Sequence, residues 1–74
     1  MTLELQAYAA QLLEDLLSQF PLPSRPLLVL KGLRVSAGIA NYKAWTITLS
    51  SRLLDSQEKV STTLKHEYAH LLAF

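Results

Sequence analysis

Three prolines, Pro21, Pro23 and Pro26, fall within six residues and divide the hydrophobic pattern of the chain. Before them the apolar residues Leu5, Tyr8, Ala9, Leu12, Leu13, Leu16, Leu17 and Phe20 recur at helical spacing. After them the pattern changes to alternation. The prolines have no backbone N–H and push the residue before them out of helical geometry, so the first helix must stop near Phe20. The spacing predicts a helix over 3–20, with Thr2 as N-cap and Glu4 favourably placed in the first turn. Its polar face carries Glu4, Glu14 and Asp15 and no cation, which disfavours an anionic membrane surface. Packing against a sheet is the expectation.

The connector Pro21–Pro26 is too short to separate a pair of domains. Leu27-Leu28-Val29-Leu30 reads as a short buried strand, and Gly32 as a turn or bulge. From Leu33 the chain alternates, with Leu33, Val35, Ala37 and Ile39 on one side and Arg34, Ser36, Gly38 and Ala40 on the other. Asn41-Tyr42-Lys43-Ala44 is the expected hairpin connection to a second alternating strand, Trp45–Ser50. Asp55 is the expected N-cap of a closing helix from about Ser56 onward, with Glu58 completing a capping box. On that helix Val60, Leu64, Leu71 and Phe74 share an arc that should face the core. The predicted fold is therefore α+β over 1–74: a leading helix, a small two- or three-stranded antiparallel or mixed sheet, and a final helix.

Seventy-four residues allow one domain near the lower limit for a self-sufficient core. Cysteine is absent, which removes disulfides and thiolate ligands and suits a cytoplasmic protein. Met1-Thr2-Leu3-Glu4 lacks the basic start of a secretory leader, and no apolar run approaches a membrane span. The net charge of +1 is unevenly spread: Arg25, Lys31, Arg34, Lys43 and Arg52 lie in a middle segment without acids. Such a segment suits either a solvated rim or an acidic partner such as DNA.

The chemistry lies in the final helix, at His66-Glu67-Tyr68-Ala69-His70, an H-E-x-x-H pattern. Helical residues four apart share a face, so His66 and His70 can present two imidazole nitrogens to one zinc ion. Glu67, roughly 100° round the helix from His66, can act on a water near the same ion. It falls at the edge of the apolar arc, where a carboxylate is costly unless it is paired or serves a site. For a single histidine, an ordinary place on the helix surface would be the simpler explanation. Two at this offset with Glu67 directly after the first make a chance match rare, roughly one chain in several hundred of this length. A closed structural zinc site needs four protein ligands, and the chain has only two histidines. A catalytic zinc needs three plus an open position. Asp55 and Glu58 lie too far back along the helix to be the third, and nothing singles out Glu4, Glu14 or Asp15. The run Leu71-Leu72-Ala73-Phe74 has neither a closing Gly nor a following Pro. The chain is therefore expected to be the front portion of a longer parent, with the third ligand beyond Phe74.

Residues 33–74 resemble the front half of the SprT-like zinc metalloprotease domain. The resemblance rests on Ala37-Gly38-Ile39-Ala40, on Ile47-Thr48-Leu49-Ser50, and on Thr63-Leu64-Lys65-His66-Glu67-Tyr68-Ala69-His70. It implies a zincin-like half domain in which His66 and His70 bind zinc and Glu67 is the general base. It also implies a downstream histidine as third ligand and a protein or peptide substrate, in some members a protein crosslinked to DNA. By analogy with zincins, substrate would lie along an edge strand offered by Trp45–Leu49. Two other readings compete with this one. The motif also occurs in regulator-cleaving proteases of the ImmA/IrrE type, and a non-catalytic protein- or DNA-binding module could retain it.

Overall fold

A computed structural model describes all residues, Met1–Phe74. The first helix, α1, spans Leu3–Gln19, and the Thr2 hydroxyl accepts from Leu5 N–H at its start. Leu5, Ala9, Leu13 and Leu16 form its buried stripe. Phe20 is its C-cap, half exposed, rather than the last member of that stripe. The prolines then turn the chain into β1 (Leu27–Lys31), followed by β2 (Gly38–Asn41) and β3 (Thr46–Ser50). Helix α2 closes the chain over Gln57–Ala73.

The sheet is mixed, in the order β1-β3-β2. β1 runs parallel to β3 with Leu28 opposite Ile47 and Leu30 opposite Leu49. β2 runs antiparallel to β3 with Gly38 opposite Leu49 and Ala40 opposite Ile47. Helix α2 covers the face that carries Ile47 and Leu49, and α1 packs against α2. Ile47 and Leu49 join Leu5, Ala9, Leu13, Leu16, Leu54, Val60, Leu64, Tyr68 and Leu71 in one core. Burying a side chain of this size contributes about 1.5–3 kcal/mol.

The structure departs from the sequence pattern in several places. β1 is an edge strand and only half-buried, with Leu27 mostly exposed. β2 is four residues long, and residues 33–37 outside it leave Val35 95% exposed. Within β2 the small residues Gly38 and Ala40 face inward and Ile39 faces out, because α2 passes too close for a larger side chain. The N-cap of α2 is Ser56, whose hydroxyl accepts from Lys59 N–H, while Asp55 pairs instead with the Lys59 ammonium at 2.9 Å. Finally, Phe74 lies outside the core and stacks on Tyr42 of the β2–β3 turn, ring centres 4.4 Å apart.

That turn is built by Asn41, whose side-chain oxygen accepts from the N–H groups of Lys43 and Ala44. Trp45 closes it with a left-handed φ of 55° and donates its indole N–H to Ser24 O. Trp45 therefore precedes β3 instead of opening it. Ser50, fully buried, ties the far end together: its hydroxyl donates to Leu33 O and accepts from Arg52 and Leu53 N–H.

Candidate metal centre

Helix α2 lies over the β2–β3 side of the sheet, and its rotation about its own axis decides which side chains meet what. Four side chains set that rotation. Val60, Leu64 and Leu71 fill the core. Tyr68, almost fully buried, donates its hydroxyl to Phe20 O, one of the carbonyls left open where α1 ends. Burial pushes the Tyr68 phenol above its usual range, so the group stays a donor. Tyr68 lies inside the motif, at a position the H-E-x-x-H pattern leaves open, and the helix spacing does not single it out as a core residue. Its aromatic size and helical offset from Leu64 and Leu71 were the available signals.

With the helix so rotated, His66 and His70 face solvent and Glu67 faces the sheet. The two Nε2 atoms converge to 3.2 Å, and the rings stand edge to face, 87° apart. Zinc–nitrogen bonds are about 2.0–2.1 Å. Two nitrogens 3.2 Å apart therefore subtend about 100–106° at a single ion, near the tetrahedral angle. The same approach can be a hydrogen bond between one ring's N–H and the other's lone pair, according to tautomer. The donor pair thus fits two positions of a tetrahedral site. No group of three or more His, Cys, Asp or Glu side chains converges anywhere in residues 1–74, so neither the α1 acids nor Asp55 and Glu58 join the pair.

Glu67 is 8% exposed and lies against β2. A Cβ on Gly38 would come within 2.7 Å of Thr63 Cγ2 and 3.1 Å of Glu67 Cγ. The glycine is therefore what lets this stretch of α2 approach the strand. No side chain of the protein hydrogen-bonds the Glu67 carboxylate, yet no buried side-chain oxygen lacks a partner. The carboxylate consequently opens onto the cavity of about 310 Å³ lined by Ser36, Ala37, Gly38, Thr62, Thr63, His66 and Glu67.

The strand beside this cavity is β2 and not β3. Because β3 is hydrogen-bonded on both sides, Trp45–Leu49 cannot offer a free edge, and that expectation is corrected. On β2 the ladder alternates. Ser50 N–H donates to Ala37 O, so the bonded pairs recur at Ile39/Thr48 and Asn41/Thr46. Gly38 and Ala40 therefore turn their N–H and C=O groups to the open edge.

The model of the SprT-like family matches residues 5–74. The chain belongs to the SprT-like family. The match begins in the first turn of α1 and includes all three strands, so this SprT-like chain is assigned by its whole architecture and not by its H-E-x-x-H motif alone. The family is associated with metalloprotease activity and typically with zinc. Comparisons with curated proteins and with solved structures found no match. No helix of this SprT-like chain is long and apolar enough to cross a membrane.

Proposed function

We propose that this chain carries the general base and two zinc ligands of a SprT-like metalloendopeptidase. The observation that carries the reading is the convergence of His66 and His70 Nε2 at 3.2 Å on the helix that also holds Glu67 at the sheet. Zinc, when bound by the two imidazoles, would supply a Lewis acid that polarises a peptide carbonyl and makes water more acidic. His66 and His70 act as neutral ligands through Nε2. Glu67 takes a proton from the attacking water and delivers it to the leaving amine. Its near-burial limits competing bulk water, and its opening to the cavity leaves the carboxylate reachable. The free edge of β2 at Gly38 and Ala40 holds an extended peptide by backbone hydrogen bonds. Lys31, Arg34, Lys43 and Arg52 are exposed and none is in an ion pair, which supports DNA-associated proteins as the substrate class. The lack of cysteine supports a cytoplasmic setting.

Zinc titration followed by imidazole NMR, together with hydrolysis of an unfolded protein substrate, tests this. His66 and His70 resonances should shift together, reversibly on chelation, and Glu67→Gln should abolish hydrolysis while leaving the shifts. Zinc-insensitive imidazoles, or full cleavage by Glu67→Gln, sink the proposal. With two protein ligands in residues 1–74, zinc binding by this chain should be weak, and tight binding would reveal a ligand the structure does not bring together.

A further inference from the structure

The cavity beside Glu67 has a chemical character of its own. Of its seven lining residues only Ala37 is hydrophobic. Ser36, Thr62 and Thr63 contribute three hydroxyls, and Glu67 contributes a carboxylate. None of these four groups makes a hydrogen bond to the rest of the protein. Ser50, buried, spends its hydroxyl on three bonds, and Thr2 and Ser56 spend theirs as caps, whereas Ser36 and Thr62 are exposed, Thr63 is half-buried, and their hydroxyls are open to a ligand. Four polar groups with unspent capacity therefore surround one space. Its floor is kept low by Gly38, which has no side chain to fill it.

We infer that this cavity is a side-chain subsite for a neutral, hydrogen-bonding residue of the substrate, such as Ser, Thr, Asn or Gln. The inference rests on the reading of a peptide as the substrate, held along β2. Three alternatives fail on the same chemistry. A large apolar side chain would strip water from three hydroxyls and a carboxylate and give them no partner. An acidic side chain would face the Glu67 carboxylate. A Lys or Arg would fix the Glu67 carboxylate in an ion pair, held away from the water it must reach. A hydroxyl or carboxamide can donate to the carboxylate and exchange bonds with Ser36, Thr62 and Thr63 while leaving the charge in place. The cavity is open on one side, so the discrimination should be moderate, about tenfold, the worth of one net hydrogen bond. The adjacent β2 edge carries the backbone, and the cavity reads one side chain.

The probe is a set of end-blocked alanine-based octapeptides with one central guest, Asn, Ser, Leu, Phe or Lys, titrated into the full chain with zinc. Amide shifts at Ser36–Gly38 and Thr62–Thr63 locate the guest, and their titration yields Kd. Asn and Ser peptides should bind about tenfold more tightly than Leu, Phe and Lys peptides, with those amides moving most. Thr63→Val keeps the shape of the side chain, including the Cγ2 beneath Gly38, and should remove most of the preference. Ser36→Ala, in an exposed loop, provides a second variant that does not threaten the fold. Equal affinity for Asn and Leu guests, no binding by any peptide, or a preference unchanged in both variants overturns the inference. The outcome is separable from the catalytic reading. A guest preference with no cleavage defeats the peptidase proposal and leaves the subsite standing. Cleavage with no guest preference does the reverse.

Discussion

Gly38→Ala probes the contact on which the site depends. Neither glycine of the chain has a positive φ, so alanine at either is free of backbone strain. In open space Gly→Ala would stabilise by about 0.4–1 kcal/mol through the unfolded chain. At Gly38 the new methyl would stand 2.7 Å from Thr63 Cγ2, 3.1 Å from Glu67 Cγ and 3.2 Å from Thr48 O. Comfortable carbon–carbon contact is about 3.5–4.0 Å, so the helix must retreat by about 1 Å or Thr63 must leave its rotamer. Thr63 is β-branched and helical, and Thr48 O belongs to the sheet backbone, so neither yields cheaply. Overpacking of this kind costs about 1–3 kcal/mol, which leaves a net loss of about 1–2 kcal/mol after the entropic gain. For a domain of this size that lowers Tm by about 4–16 °C. Gly32→Ala is the control. Its methyl would meet only Arg52 Cδ at 3.2 Å and Cγ at 3.5 Å, on a flexible exposed side chain, so the change should be near neutral. Thr63→Ser, which removes the clashing Cγ2, should recover most of the loss in the Gly38→Ala background. Urea and thermal unfolding read all four proteins. A neutral or stabilising Gly38→Ala, or no recovery with Thr63→Ser, refutes the close-approach account of why small residues line β2.

Two further perturbations test what holds α2 in place and how the surface responds to acid. Tyr68→Phe keeps the ring but leaves Phe20 O without its donor, and should cost about 1–2 kcal/mol by urea unfolding; an unchanged midpoint would mean that water replaces the phenol without loss. The Arg25 guanidinium hydrogen-bonds Glu14 and holds its carboxyl below the usual carboxylate range. A depressed folded-state pKa stabilises above the ordinary value of 4.5 and loses that contribution as pH falls through the lower folded value. The Tm gap between the protein and Arg25→Gln should thus be present at neutral pH and close in acid, remaining small throughout because both groups are exposed. A gap that widens in acid contradicts the sign.

Much of the fold could be read along the chain because its causes are local. Helical spacing, the Thr2 cap, the proline stop and the Asn41 turn each act within a few residues, and each is present. Capping of α2 was misplaced by one residue because Asp55 and Ser56 are both good caps and only the geometry of Lys59 separates them. The buried face of β2 could not be read along the chain, because alternation shows that two faces differ, not which one a neighbour covers. Ile39 is the more apolar residue, yet Gly38 and Ala40 turn inward because the helix above them needs room. Phe74 likewise satisfies the helical arc but runs past the core and finds Tyr42 instead.

The same division runs through H-E-x-x-H. The sequence by itself determined that His66 and His70 share a face one turn apart, since a four-residue offset on a helix places them so whatever surrounds it, and the structure brings their Nε2 atoms together. The sequence also set Glu67 roughly 100° round the helix from His66. Only the tertiary structure decided what Glu67 turns toward. The order β1-β3-β2 put β3 in the centre and made β2 the open edge, a choice of long-range pairing that no local pattern encodes. The Tyr68 bond to the end of α1 then set the helix so that the carboxylate meets Gly38 and a cavity of unpaired hydroxyls.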